Sequence, residues 1–434
     1  MSKRLLSVVA VLIAASAGAD APPKPNGIKI GDGRLHPFLA VRAAYDSAAG
    51  FFPAASGGEE IRGDFIITPS LGLAFALDTP STAVNFRGQG GFAWYTGLVT
   101  PSATPMSYVN ALVGLDTAFN KTGAVEVQIG DTFSRTNATA NLASSIGVIS
   151  LFNSAYLAVP IHPGGGAITV TPRVRWDVEF FSPQLPSRGL SGCNPNDIRC
   201  NPNLVQEMNY SNLNASLGGR WKFLPKTAVV ADVQFDHRTY FNTSDPTPPA
   251  PGTPAPTAGA NLTSYILRGT AGLSGLITSR LSVLALIGGA GDFGLGRGAS
   301  PLAQAEVAYL GSDLTLRGGY LLAMNPVPVY GTVGQHRGYA EFRATFFGRL
   351  TARLFGAFDY IDFPVINDTV MGTTRLVDRN DYFVTVQSEI AVQIISILSV
   401  SVSYNLSWRI PGNGAPVGNQ YVRHEPALNV MLSY

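Results

Sequence analysis

The sequence predicts an all-β chain that closes about 18 antiparallel strands into an up-and-down transmembrane barrel. Three observations predict it. Apolar and polar residues alternate with a period of two along most of the chain. Short and long connections alternate between the resulting strands. Charged residues are only 13% of 434, against roughly 25% in soluble domains. Apolar residues are an ordinary 46%, so the chain is poor in charge without being rich in apolar runs. Lipid against one side of every strand accounts for that combination.

The alternation is plainest over Ile168–Phe180. Ile168, Val170, Pro172, Val174, Trp176, Val178 and Phe180 share one face, and Thr169, Thr171, Arg173, Arg175, Asp177 and Glu179 share the other. One such strand also suits a half-buried soluble sheet. Repetition decides against that. Leu213, Ala215, Leu217, Gly219, Trp221 and Phe223 alternate with Asn212, Asn214, Ser216, Arg220 and Lys222. Val400, Val402, Tyr404, Leu406 and Trp408 alternate with serines, Asn405 and Arg409, and Ala340–Phe346 repeats the pattern around Glu341 and Arg343.

The N-terminus reads as a secretory signal. Lys3 and Arg4 precede an apolar core, Leu5–Ala15, that is too short to span a bilayer needing roughly 20 residues. Ala17-Gly18-Ala19 is a small-residue cleavage site. The expected division is a signal peptide over 1–19, a short periplasmic segment over 20–33, and the barrel over 34–434. The segment before the barrel is too short for a plug domain.

Tight turns are expected at Asp78–Ser81, Asn120–Gly123, His162–Gly165, Leu224–Thr227 and Phe347–Arg349. Long polar loops are expected at Ala48–Gly63, around the cysteines, at Asn242–Ala260, Met324–Gly338, Pro364–Asn380 and Pro411–Gln420. Cys193 and Cys200 flank a turn-rich polar run, and export to an oxidising compartment predicts a disulfide between them. Aromatics gather toward strand ends, at Trp94 and Tyr95, Phe180 and Phe181, Trp221 and Phe223, and Phe346 and Phe347, as interfacial girdles require. The last strand alternates Leu428, Val430, Leu432 and Tyr434, and the chain stops on the aromatic. That ending resembles the signal read by the barrel assembly machinery of Gram-negative outer membranes. It places the chain in the outer membrane, with its lipid and that machinery as partners.

No motif for catalysis, cofactor or metal is present: there is no HExxH, GxSxG or Walker loop, and the five histidines show no ligand spacing. Gly289–Gly294 matches G-x-G-x-x-G but opens into a loop, with no helix to hold a phosphate. A net charge of +2 excludes a nucleic-acid footprint. The polar face therefore carries the function. Its expected interior residues are Arg42, Arg87, Arg173, Arg175, Asp177, Glu179, Arg220, Lys222, Asp232, Asp236, Arg238, Glu341, Arg343 and Arg409. The same parity adds Asp116, Glu126, Glu306, Arg317, Arg353, Asp359, Glu389, Arg423 and Glu425. The two signs nearly balance, and a strongly ion-selective pore would show one of them in excess.

Gly33–Val41, running on to Tyr45-Asp46-Ser47, resembles the opening strand of a β-barrel porin family of Gram-negative outer membranes. Phe223–Ala228 resembles a turn of that family; Ser47-Ala48 departs from its usual Asp-Asn. Some members accompany polysaccharide export systems, including myxobacterial ones for exopolysaccharide, biosurfactant and spore coat. The resemblance implies a porin that serves as the exit for a secreted polysaccharide, docked on a periplasmic polysaccharide export protein. A general diffusion porin for small hydrophilic solutes, and a structural or adhesive barrel of an envelope complex such as a motility machine, are the alternatives.

Overall fold

The computed structural model describes residues 27–48, 63–141, 144–183, 208–241, 263–293, 298–327, 331–363, 366–370, 373–377, 379–412 and 421–434. The signal segment and the Cys193–Cys200 stretch fall outside these residues.

The chain begins with a short strand, β1 (Ile28–Ile30), folded back on the start of β2 (Gly33–Asp46). The strands β3 (Asp64–Asp78), β4 (Thr82–Tyr95), β5 (Tyr108–Phe119), β6 (Val127–Asn141), β7 (Ser144–Ala158) and β8 (Ile168–Pro183) follow. Next come β9 (Tyr210–Leu224), β10 (Thr227–Tyr240), β11 (Ser264–Leu276), β12 (Leu281–Asp292), β13 (Ala299–Leu310), β14 (Leu314–Val327), β15 (Gly331–Phe346) and β16 (Leu350–Asp362). A small hairpin, β17 (Ile366–Val370) and β18 (Thr373–Val377), stands in the connection that leads to β19 (Asn380–Ile395), β20 (Leu398–Pro411) and β21 (Tyr421–Ser433). Every neighbouring pair is antiparallel, and β2 pairs with β21 from Phe38↔Ser433 to Ala44↔Ala427. The hairpin and β1 apart, these strands form one closed barrel of 18. Closure leaves no strand edge, which a chain in hydrocarbon requires.

The connections divide by end. Both described termini and the five expected tight turns lie at one end. Phe347 and Gly348 show why such a turn is short: both have positive φ, 54° and 65°, the twist that matches two antiparallel strands. The long connections lie at the other end, together with two short ones, between Asn141 and Ser144 and between Val327 and Gly331. In bacterial barrels short turns face the periplasm, which makes the long-loop end extracellular.

Parity follows from register. Val174 pairs with Leu157 on β7 and Ala215 on β9, and all three face outward. Outward apolar groups are bare, with Leu71 69% and Ile287 74% exposed. In water that surface would be costly, and in lipid it is the expected one. Strands of 12 to 16 residues at ~3.3 Å per residue overrun an apolar band ~25 Å tall even when tilted. Their outer ends therefore stand above the membrane.

Three expectations are corrected here. Met324–Gly338 is not a long loop: β14 runs on to Val327 and β15 starts at Gly331, paired throughout. The pairing overrode the Pro and Gly content that had suggested a loop. Gly289–Asp292 is the end of β12 and not loop, so the glycine motif lies largely in a strand. Of the paired aromatics, Trp94 and Phe180 face outward, whereas Tyr95 and Phe181 turn inward and are buried. Adjacent strand residues cannot share a face.

Candidate functional site: the barrel interior

The interior face is built strand by strand from the residues between the outward apolar ones. On β8 it presents Arg173, Arg175, Asp177 and Glu179. The Arg175 Nε lies 3.0 Å from Asp177 Oδ2, and the Ser154 hydroxyl donates to Asp177 Oδ1 at 2.6 Å. Glu179 accepts from the Ser150 hydroxyl at 2.6 Å and from Tyr210 at 2.7 Å. The Arg173 guanidinium sits over the Tyr156 ring at 4.4 Å, and Arg238 sits over Tyr210 at 4.0 Å. Asp236 gathers Asn214 at 2.7 Å, Gln234 at 2.9 Å, Asn212 at 3.3 Å and Arg268 at 3.6 Å.

The opposite wall repeats the arrangement. Glu341 lies between Arg317 at 2.5 Å and Arg353 at 2.8 Å. Asp359 takes Gln335 at 2.7 Å and Arg337 at 3.4 Å. Across the closing seam, Arg423 holds Asp46 by two contacts of 2.8 Å, and Glu425 pairs with Arg42 and with Arg423. Arg379 and Arg409 share Asp381 at 2.8 and 2.5 Å, and all three are fully buried.

The register places every residue of the expected interior set on this face, though not in one cluster. Arg173, Arg175, Asp177, Glu179, Asp236 and Arg238 are brought together on β8–β10. Glu341, Arg409 and Arg42 each belong to a separate network. Among the described residues Arg87 reaches only Gln89, at 3.4 Å, and the Phe38 ring. Arg343 stands opposite Thr315 and Arg353. Arg220, Lys222 and Asp232 make no ion pair among the described residues. Asp46, Asp64, Arg268, Asp292, Arg337 and Asp381 also face inward, outside the interior set expected from the sequence. For Asp46, Asp64, Arg337 and Asp381 the signal was hidden by loop composition beside them. For Arg268 and Asp292 the alternation along β11 and β12 carries the parity.

The interior is not uniform along its axis. Toward the extracellular end its polar groups are buried: Asp46, Asp64, Asn212, Asp236, Asp292, Gln335 and Asp381. There Tyr95 packs with Ile66, Ala93, Ala103 and Met106, the last two from a short 3₁₀ segment, Pro101–Met106, that follows β4. Toward the short turns, Asn85, Asp116, Lys222 and Arg343 are exposed. Outside, a belt of ring pairs marks the extracellular interface. His237 stacks on Tyr265 at 4.9 Å, and His336 and His424 meet the Tyr320 and Tyr404 hydroxyls at 2.7 Å.

A closed antiparallel barrel with an apolar outer belt, ring girdles and a polar interior is a bacterial outer-membrane β-barrel. One solved receptor structure agrees on the fold. The siderophore receptor PirA from Acinetobacter baumannii superposes with a TM-score of 0.50 at 9% identity, over 94% of this chain and 81% of that one. The FrpB iron transporter from Neisseria meningitidis gives a TM-score of 0.46 at 8% identity, over 92% of this chain and 82% of that one. No family model and no curated protein sequence matches the chain.

Proposed function

We propose that this barrel is the outer-membrane exit for a secreted polysaccharide, docked through its short turns on a periplasmic polysaccharide export protein. The observation that carries the reading is the neutralised interior. Carboxylates and guanidiniums satisfy one another through Asp177, Asp236, Glu341, Asp359, Asp381 and Glu425. What they leave to a passing solute is a wall of amides, hydroxyls and already-paired charges, with Arg87, Arg220, Lys222 and Asp232 of the expected set outside these networks among the described residues. Such a wall offers a hydrated, hydroxyl-rich chain many weak hydrogen bonds and no single deep site, which favours passage over capture. The reading assigns no catalytic step, cofactor or plug domain.

The burial of interior groups toward the extracellular end supports an exit that is narrow at rest over a pore open at all times. A clean gene deletion tests the proposal. Loss of one surface polysaccharide, with its periplasmic or cytoplasmic precursors retained, is the expected result. Normal surface polysaccharides would reject the export role. Single-channel conductance would then separate a diffusion porin from a structural barrel.

A further inference from the structure

The outward surface of the barrel is almost free of charge. By the strand register, the charged side chains on the outward parity among the described residues are Asp131 and Arg135 on β6 and Asp362 at the last position of β16. Asp362 is at an extracellular strand end. Asp131 is not. It is the third outward residue of β6, after Val127 and Ile129, and Phe133 follows it. Its direct neighbours are Leu115 on β5 and Ala155 on β7. Ile129, Leu115 and Leu157 around it are exposed apolar groups. Asp131 is exposed too, and its Oδ1 accepts a 2.9 Å hydrogen bond from Asn153 Nδ2. Arg135, farther up β6, donates to the Val109 carbonyl.

Hydrocarbon can satisfy none of these groups. We propose that the outward face of β6 and β7 is the contact surface for a second copy of this chain, the two barrels related by a two-fold axis along the membrane normal. That axis is fixed by the bilayer, because both copies must point the same way. It sets the left side of one patch against the right side of the other. Asp131 of one copy then faces Asn153 of its partner, and the reverse. The groups suit that arrangement. Among the described residues Asp131 Oδ2 accepts no hydrogen bond, and the Asn153 amide reaches the Thr132 carbonyl only at 3.5 Å. Each patch thus offers an open acceptor and a loosely held donor, the self-complementary set that an isologous contact needs. Ala155, beside Asp131, is small enough to let a second wall approach.

Cysteine cross-linking in isolated outer membranes tests this. Ala155→Cys, with Cys193→Ser and Cys200→Ser, is expected to oxidise to a species of twice the chain mass. Val233→Cys, outward on β10 and 53% exposed, is expected to give none. Replacing Asp131 and Asn153 by Leu should keep the heat-modifiable folded barrel and lower the cross-linked fraction at least tenfold. Native mass measurement of the wild-type protein covers the case in which the cysteine-free background fails to fold, and should show two chains. A monomer, equal cross-linking at both positions, cross-linking of Ala155→Cys to a different protein, or a dimer unaffected by the double Leu variant would overturn the proposal.

Discussion

The Tyr156 hydroxyl donates a 2.9 Å hydrogen bond to Asp116 Oδ1 across an intervening strand, passing directly over Gly130. A Cβ on Gly130 would sit 2.1 Å from the Tyr156 ring and 2.7 Å from the Asp116 carboxylate. The same device recurs on the other wall, where Tyr339 donates to Glu306 over Gly319. In each case an acid, a glycine and a tyrosine lie in one row of the register on three successive strands. The missing side chain lets the ring lie flat against the wall and tie two strands that are not neighbours. Gly130→Ala should therefore cost ~1–3 kcal/mol by overpacking, and Tyr156→Phe about 1 kcal/mol by loss of one net hydrogen bond. Urea titration of the heat-modifiable band measures both. A Gly130→Ala barrel as stable as wild type would show that the ring has room elsewhere.

Asp381 is shared by two guanidiniums in a fully buried site. Asp381→Ala breaks both ion pairs without removing either cation, a change that costs ~3–5 kcal/mol in buried pairs. Asp381→Asn, which keeps an acceptor, should lose less. The same titration ranks the two variants. Equal stability of Asp381→Ala and wild type would mean that the site is hydrated and not dry.

Parity on β8 has a direct consequence for substitution. Val174 faces lipid, and Val174→Arg should cost ~2–4 kcal/mol near mid-membrane. Arg175→Leu removes an interior ion pair that is not fully buried and should cost less. A Val174→Arg barrel that folds normally while Arg175→Leu fails would invert the inside and outside of that strand.

The closing seam depends on the C-terminal residue. Tyr434 N–H donates to the Pro37 carbonyl at 3.1 Å, and β21 pairs with both β20 and β2. Deleting Tyr434, or Tyr434→Lys, should lower the amount of barrel in the outer membrane. Immunoblotting of outer-membrane fractions reads this, and an unchanged amount of the shortened chain would contradict it.

The period of two carried the barrel, the strand number and the inward parity of the expected arginines and acids, because side-chain direction in a strand is a counting matter. The limits of strands were harder to read. Pro326 and the glycines of β15 look like loop, yet cross-strand pairing continues past them. The networks were out of reach for another reason: which acid meets which arginine depends on register between strands, as with Asp46 and Arg423 across the seam. Asp131 shares its parity with Val127, Ile129 and Phe133, and the pairing with Leu115 and Ala155 puts that series on the lipid side.

Replacing Arg173, Arg175, Asp177 and Glu179 together by Trp is the most direct test of the export role, because it blocks the interior face and leaves the lipid face of the same strand untouched. The expected result is a heat-modifiable barrel present in the outer membrane and a surface polysaccharide lost as completely as in the deletion. Surface polysaccharide at wild-type levels, with the substituted barrel folded and in place, would contradict it.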